Sequence, residues 1–590
     1  MRAVTDEAPG VAASAGRSGS TWSLDKAPAI SAAKAAADFV AQIFAEVAAP
    51  EPTPAVLPMA AQDGGESAAD PAQAPAEPAG RPGEGMAPLQ DQNILILGLG
   101  ASGLAMARWC VRCGAHVTVA DTRQLPPQLA ALQQELPQVR FVAGAFGAHL
   151  VQGQGLHAVY RSPGLSPDSI APVFVAASAM GISTGGELSL YSMALAALRA
   201  AHGYAPAVLA ITGTNGKTTV TSLTGQLVER AGKTVAVAGN IGPTLLDTLA
   251  SHIDAGTLPQ VWVLELSSFQ LDGVVDFEPT AATVLNITQD HLDWHGDMQA
   301  YAAAKARIFG QSAVMVLNRD EPAVMAMLPE PVRVKLQKPQ QRAHTTFGGD
   351  MPRRPGDFGI EMVSGMAWLV RALESDETRK RGRSEEPELH IQRLLPADAL
   401  RIRGRHNAIN ALAALALACE AGCALSPMLY GLREYRGEPH RVEPIGVVAG
   451  VEYFDDSKGT NVGATVAALS GLGADRRLVV ILGGEGKGQD FSPLAAPVAR
   501  SARAVVLMGR DAPLIRAALQ GAGVALVDAQ TLPHAVQLAA QQARPGDAVL
   551  MSPACASFDM FRDYAHRAQV FCDAVRELAH DAGQELEGMQ

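Results

Sequence analysis

Ile211-Thr-Gly213-Thr214-Asn215-Gly216-Lys217-Thr218-Thr219 follows an apolar run at 208–211 and opens a helical pattern, which is the strand, loop and helix order of a phosphate-binding loop. In such a loop successive backbone N–H groups cradle a triphosphate, here along Gly213, Thr214, Asn215, Gly216 and Thr219. Lys217 brings a point charge to the β and γ oxygens, and the Thr218 hydroxyl is placed to ligate Mg2+. One position departs from the common pattern: Ile211, not Gly, stands five before Gly216.

The same alternation continues on both sides of the loop. Short apolar runs predict strands at 94–97, 116–120, 208–211, 235–237, 261–266, 282–287, 313–317, 478–482, 504–508 and 548–551. Helical stretches separate them, so the expected class is α/β with parallel sheets. Breaks before Pro206 and around 437–443 divide this into three domains at 91–204, 205–436 and 437–590. The first is read as Rossmann-like, the second as a central phosphate-loop ATPase and the third as Rossmann-like again. Residues 374–388 (ESDETRKRGRSEEPE) read as a solvated loop inserted in the central domain.

Residues 1–90 are different. Apart from one helical stretch at 35–48 they are rich in Ala, Pro, Gly and acids, a composition that cannot bury enough surface to order itself. Met86 lies just before the first strand, so the stretch reads as a dispensable extension or a start placed too far upstream.

Of 590 residues, 48% are hydrophobic and 18% charged, which suits several buried cores and excludes global disorder. The net charge of −12 disfavours a protein whose main task is to neutralise nucleic-acid phosphates. Six cysteines are too few for a disulfide framework, and Cys110 and Cys113 lack the two further ligands that zinc requires. With no secretory leader pattern and no apolar run of membrane-spanning length, a cytoplasmic protein is expected, without membrane insertion, and a monomer.

A second glycine-rich turn, Gly98-Leu-Gly100-Ala101-Ser102-Gly103, follows the strand at 94–97, and Asp121 ends the next strand. The glycines allow a phosphate to approach a helix N-terminus, and Asp121 is placed to accept from a ribose or a base. By itself this fits an NAD-dependent oxidoreductase as well as any other nucleotide binder. That alternative leaves Lys217, Glu265 and His291 without a purpose. Glu265 ends a strand facing the phosphate loop, where a carboxylate is the expected Mg2+ ligand. His291 stands between Asp290 and Asp293 downstream of that loop, which favours a metal role.

The TGTNGKT form of the loop resembles that of the Mur ligase superfamily, and the resemblance runs along residues 93–575. It is carried by Gly239-Asn240-Ile-Gly242, Glu265-Leu-Ser267-Ser268-Phe-Gln270-Leu, Asn286-Ile-Thr-Gln-Asp290-His291-Leu-Asp293, Lys305, Gly404-Arg-His406-Asn407 with Asn410, and His440-Arg441. Three later stretches resemble the D-glutamate-adding branch: Asp455-Asp456-Ser457-Lys458-Gly-Thr460-Asn461, Gly483-Gly484-Glu-Gly-Lys487 and Ser552-Pro-Ala-Cys-Ala-Ser557-Phe558-Asp559. The acceptor motif of relatives that add diaminopimelate or lysine is not found.

The resemblance implies an ATP-dependent amide ligase that joins D-glutamate to UDP-N-acetylmuramoyl-L-alanine in peptidoglycan precursor synthesis. A folylpolyglutamate-type or peptide-recycling ligase of the same superfamily is the alternative. By the same resemblance Gly100, Ala101, Ser102, Asp121 and Arg123 hold the uracil and phosphates of the UDP-sugar, Ser162 and Gly164 line that groove, and Asn240 and Ser268 face the muramoyl group. Lys217, Thr218, Asn407, Arg441 and Asp456 hold ATP. Thr218, Glu265, His291 and Lys305 serve two Mg2+ ions, with Lys217, His291 and Lys305 as catalytic groups. Thr460, Lys487, Ser557, Phe558 and Tyr564 take D-glutamate, although family members often carry Leu and Phe at the last two positions.

Lys305 matches a lysine that the family carbamoylates. An ammonium beside Mg2+ is repelled by ~4 kcal/mol per unit charge at about 4 Å and an effective dielectric near 20, and a carbamate reverses that sign.

Overall fold

The computed structural model describes residues 89–332, 339–375, 388–474, 476–584 and 586. All lie in the second of two compact units, Ala76–Gln590. The extension at 1–88, with its helical stretch at 35–48 and Met86, lies outside the described residues, as does most of the charged stretch at 374–388.

Four sheets organise the described residues. The first contains β1 (Asn93–Leu97), β2 (His116–Asp121), β3 (Arg140–Ala143), β4 (Ala158–Arg161) and β5 (Ser183–Gly186) in the order β3-β2-β1-β4-β5, all parallel. The second contains β6 (Ala207–Thr212), β7 (Val235–Gly239), β8 (Val261–Glu265), β9 (Ala281–Val284), β10 (Val314–Asn318) and β11 (His344–Phe347). Its order is β11-β10-β9-β6-β8-β7, again parallel, with the phosphate-loop strand β6 between β9 and β8.

A small antiparallel sheet follows, β12 (Phe358–Val363), β13 (Met366–Glu374) and β14 (Leu389–Pro396). The last sheet contains β15 (Glu443–Val448), β16 (Val451–Asp455), β17 (Leu478–Gly483), β18 (Ala502–Met508), β19 (Ala525–Asp528) and β20 (Ala548–Met551), ordered β15-β16-β20-β17-β18-β19. In it β15 alone runs antiparallel to its neighbour.

The interior strands β6, β8, β9, β17 and β20 are buried almost throughout, which matches their unbroken Val, Ile and Leu runs, since a parallel sheet is covered on both faces. The Ala-rich helix Arg405–Glu420 buries Ala411 through Ala418. Small side chains let it lie close to the helix Lys217–Arg230 that leaves the phosphate loop.

Two differences from the sequence reading have clear causes. The strand expected at 282–287 ends at Val284, because Leu285 N–H bonds Thr212 O and Asn286 turns its amide onto the phosphate loop. The first sheet gains β3, β4 and β5, which the sequence reading lacks. β5 is Ser-Thr-Gly-Gly on a sheet edge, with no apolar run to reveal it.

Glycine is required where two strand ends converge above the second sheet. Gly239 has φ +120°, and a Cβ there would stand 2.2 Å from the Glu265 carbonyl oxygen. The close approach lets Asn240 N–H bond the same oxygen at 2.8 Å. The carbonyl end of β7 is thereby tied to the strand end that presents Glu265.

Candidate active site

The carboxyl ends of parallel strands are where open α/β sheets receive ligands, and in each of the three larger sheets several sequence-predicted residues stand at or just after such ends, while Lys305, Asn407 and Tyr564 lie on helices. Above the second sheet, Thr214 N–H donates to Asn286 O and Asn215 N–H to Asn286 Oδ1 at 2.8 Å. The loop is therefore shaped by the strand beside it before any ligand arrives. Lys217 Nζ donates to the carbonyls of Gly213 and Thr214, both at 3.0 Å. Burial pushes its pKa down, opposed by the Glu265 carboxylate.

Lys305 corrects the ordinary expectation of an exposed helix lysine, being 1% exposed. Its Nζ donates to Gly213 O at 2.9 Å and reaches Thr212 Oγ1 at 3.3 Å. Burial first, and the neighbouring Lys217 second, hold its pKa well below the usual lysine range. Two lysine side-chain nitrogens thus meet at one carbonyl of the phosphate loop.

Glu265 is buried beside them. Its Oε1 accepts from Asn240 Nδ2 at 2.9 Å, while Oε2 is buried without a hydrogen-bond partner among the described residues. A free carboxylate oxygen facing a phosphate loop is a fit for Mg2+, a hard cation that takes oxygen ligands. His291 has a left-handed backbone (φ +54°) and its Nε2 lies 3.7 Å from Asp290 Oδ2. Burial lowers its pKa against the pull of Asp290, which favours the neutral ring.

The nucleotide residues expected from distant parts of the chain line one cavity of about 100 Å³, bordered by Asn215, Gly216, Asn407, Arg441, Asp456 and Lys458. Thr219 borders it too. Arg441 Nη2 donates to Thr218 Oγ1 at 2.6 Å across 223 residues of sequence. Asn461 bonds Asn215 at 3.1 and 3.2 Å, and its amide also reaches Asp290 Oδ2 at 3.3 Å. Burial pushes the Asp456 carboxyl up to about 7, although its Oδ2 accepts from Ser552 Oγ.

Above the first sheet, Asp121 turns inward. Its Oδ2 accepts from Leu99 N–H at 2.7 Å, and Arg123 grips both carboxylate oxygens at 2.8 Å. Burial opposes ionisation, but the Arg123 side chain and backbone together with Leu99 N–H hold the carboxyl down at about 2. Asp121 thus braces the glycine turn. Ser162 Oγ bonds Gly98 O at 3.0 Å, and Ser102 bonds the buried Glu187. Gly100 and Gly164 have nothing within 4 Å of where a Cβ would stand, and Ala101 is exposed at the start of its helix. On the neighbouring sheet Ser268 Oγ is 2.9 Å from His295 Nε2.

In the last sheet β16, β20 and β17 are adjacent, so the loops after them share one edge. A bridge between Glu485 and Ala556 joins the Lys487 loop to the Ser557 loop, and Ala554 N–H bonds Gly459 O beside Thr460. Ser557 is buried, Lys487 is exposed, and Phe558 is 65% exposed. The Tyr564 ring lies 3.7 Å from Lys458 Nζ. Sequence reasoning missed Arg567, which is buried and donates to Cys555 O and Ser457 O, stitching two of these loops. A lone arginine on a helix carries no signal of that role.

Comparison with known proteins bears on all four sheets. Residues 92–186 match the MurD-like N-terminal domain of Mur ligases, 211–418 the Mur ligase middle domain, and 440–555 the Mur ligase glutamate ligase domain. The UDP-N-acetylmuramoylalanine–D-glutamate ligase of Albidiferax ferrireducens is 71% identical over 503 residues, covering 85% of this chain and 99% of that protein. The ligase of the same name from Polaromonas sp. is 63% identical, covering 84% of this chain and 100% of its own. Among solved structures, MurF ligase from Thermotoga maritima in complex with ADP aligns over 84% of this chain and 96% of its own, with 13% identity and a TM-score of 0.48. Identity of this degree over nearly the whole of each relative, with three domain matches in order along the sheets described, leaves one assignment: the chain belongs to the Mur ligase family, in the branch of the UDP-N-acetylmuramoylalanine–D-glutamate ligases.

Proposed function

We propose that this protein is an ATP-dependent ligase that joins the amine of D-glutamate to the terminal carboxylate of UDP-N-acetylmuramoyl-L-alanine in peptidoglycan precursor synthesis. The observation that carries the reading is the 71% identity to a relative of that name over 99% of its length. The domains are proposed at 91–204 for the UDP-sugar, 205–436 for ATP and 437–590 for the amino acid. The reading includes a monomeric, cytoplasmic enzyme with small soluble substrates.

A free carboxylate is a poor acyl donor. The reaction therefore begins with attack of a carboxylate oxygen on the γ-phosphorus of ATP, releasing ADP and leaving an acyl phosphate. The amine of D-glutamate then attacks the acyl carbon, the C–O bond to phosphate breaks, and the nitrogen gives up a proton. Lys217 and Arg441 supply positive charge where phosphoryl negative charge develops, and Asn407 and Asp456 border the same nucleotide cavity. Thr218, Glu265 and His291 are the residues that would hold Mg2+, which would neutralise phosphate charge. The free Glu265 Oε2 supports that role. The loops of Thr460, Lys487, Ser557, Phe558 and Tyr564 hold D-glutamate on the far side.

Carbamoylation of Lys305 is part of the proposal. Carbon dioxide adds to a neutral amine, and the burial of Lys305 together with the neighbouring Lys217 favours that form. The product is an anion between cations.

Purified protein with ATP, Mg2+ and UDP-N-acetylmuramoyl-L-alanine tests the reaction when phosphate release is followed across a panel of acceptor amino acids. D-glutamate is expected to stand apart. Turnover led by another acceptor, or equal release with none, would sink the reading.

A further inference from the structure

Arg161 ends β4 of the first sheet, directly before Ser162, yet its side chain leaves that sheet. It is 6% exposed. Its Nη2 donates to the Asp272 backbone carbonyl at 3.1 Å and to Asp272 Oδ2 at 3.0 Å, and its guanidinium carbon lies 5.5 Å from the centre of the Trp294 ring. Both partners belong to the central domain. Asp272 caps the C-terminus of the short helix Ser268–Leu271, and Trp294 lies in the short helix Leu292–His295 that follows His291.

The same carboxylate takes a second cation: Asp272 Oδ1 pairs with Arg307 at 2.7 Å, and Arg307 follows the helix Met298–Ala306 that carries Lys305. Phe269 packs on His291, Trp294 and His295, and His295 bonds Ser268. One guanidinium therefore touches the segments that present Ser268 and His291, and through Asp272 it meets the segment behind Lys305.

Other contacts cross this junction, and they differ in place and kind. Arg108 with Asp247 and Arg112 with Asp254 are partly exposed ion pairs onto the helix Leu245–Ala255, and Glu187 accepts Leu246 N–H there. They hold the flank. Arg161 reaches across at the carboxyl ends of the strands, where a ligand spanning both sheets must lie. A buried guanidinium is held there only because Asp272 balances it, and Nη1 has no partner among the described residues.

We infer that Arg161 is a positioning residue that sets the first domain against the central one, so that a substrate gripped at its uridine end presents its far carboxylate at the phosphate loop. The inference rests on the proposed substrate, a molecule long enough to occupy both domains. Nothing in it requires Arg161 to touch the reacting atoms.

The test compares a ligand that occupies one domain with one that spans two. Arg161→Met keeps the apolar stem, Arg161→Lys keeps the charge, and Asp272→Asn removes the counter-charge. For Arg161→Met the expected result is a loss of about tenfold or more in kcat with UDP-N-acetylmuramoyl-L-alanine, with KM for ATP and Kd for UDP alone each within about twofold of the parent. Arg161→Lys should recover part of the loss. The double variant Arg161→Met with Asp272→Asn should be no worse than its poorer single, since both break one contact.

Parallel weakening of UDP and of the whole substrate would make Arg161 an ordinary part of the uridine site or of the fold, and would overturn the inference. So would parental kinetics in Arg161→Met. Calorimetric binding of UDP and of UDP-N-acetylmuramoyl-L-alanine needs no turnover. If the parent enzyme fails with D-glutamate, the proposed reaction falls, while the binding comparison still decides the role of Arg161.

Discussion

Lys217 shows how one side chain separates the two nucleotide sites. It bonds the phosphate loop and nothing in the first sheet, so Lys217→Ala should abolish turnover and spare UDP-substrate binding. Removing a charge aimed at phosphoryl transfer costs ~3 kcal/mol or more, about a hundredfold in rate. Phosphate release and calorimetry on the same variant check both halves, and a matching fall in UDP-substrate affinity would refute the separation. Asp456 gives a pH signature. Its carboxyl is raised from 3.8 to about 7 by burial, so ionising it in the folded state costs stability that the protein has at low pH and loses as pH rises through about 7. Asp456→Asn cannot ionise, so its melting temperature should gain on the parent between about pH 4 and about pH 8. A difference that stays flat with pH would show the carboxyl titrating normally. At this scale the sequence was most legible where a residue type has one chemistry, as with Lys217 and Glu265. It was silent on Arg161 and Arg567, whose roles come from partners 111 and 110 positions away.

Among elements, most buried interior strands were readable because a parallel sheet covered on both faces demands uninterrupted apolar runs, whereas buried β4 (Ala-Val-Tyr-Arg) and β16 (Val-Glu-Tyr-Phe-Asp) have polar residues in the run and were missed. Edge strands such as β5, and the antiparallel β12, β13 and β14, carry mixed residues and left no such mark. The close approach of the adjacent ends of β7 and β8 makes a sharper prediction. A Cβ on Gly239 would collide with the Glu265 carbonyl oxygen, and moving that strand end moves the carboxylate proposed for Mg2+. Gly239→Ala should therefore lower activity more than it lowers the melting temperature, with the apparent Mg2+ requirement raised. An unchanged Mg2+ titration would separate Glu265 from the metal. The loop after β17 has its own test. Lys487 is exposed on the edge shared with the Ser557 loop, so Lys487→Ala should raise the apparent KM for D-glutamate far more than that for ATP, and the reverse order would move it to the nucleotide site.

For the whole molecule, the relative from Albidiferax ferrireducens is matched over 99% of its length by 85% of this chain. A protein beginning at Met86 should accordingly keep its soluble fold and full ligase activity, measured as phosphate release per mole of enzyme. Loss of either would give the first 85 residues an essential part. The bonds from Arg441 to Thr218 and from Asn461 to Asn215 join positions 223 and 246 apart, and this separation bears on how the chain is made. Synthesis runs from the N-terminus, so the phosphate loop and its sheet leave the ribosome well before Arg441 and Asn461 exist. Until they emerge, a nascent chain lacks the partners of Thr218 and Asn215, so the bonds that draw the last third of the sequence onto the phosphate loop are among the late contacts of the fold.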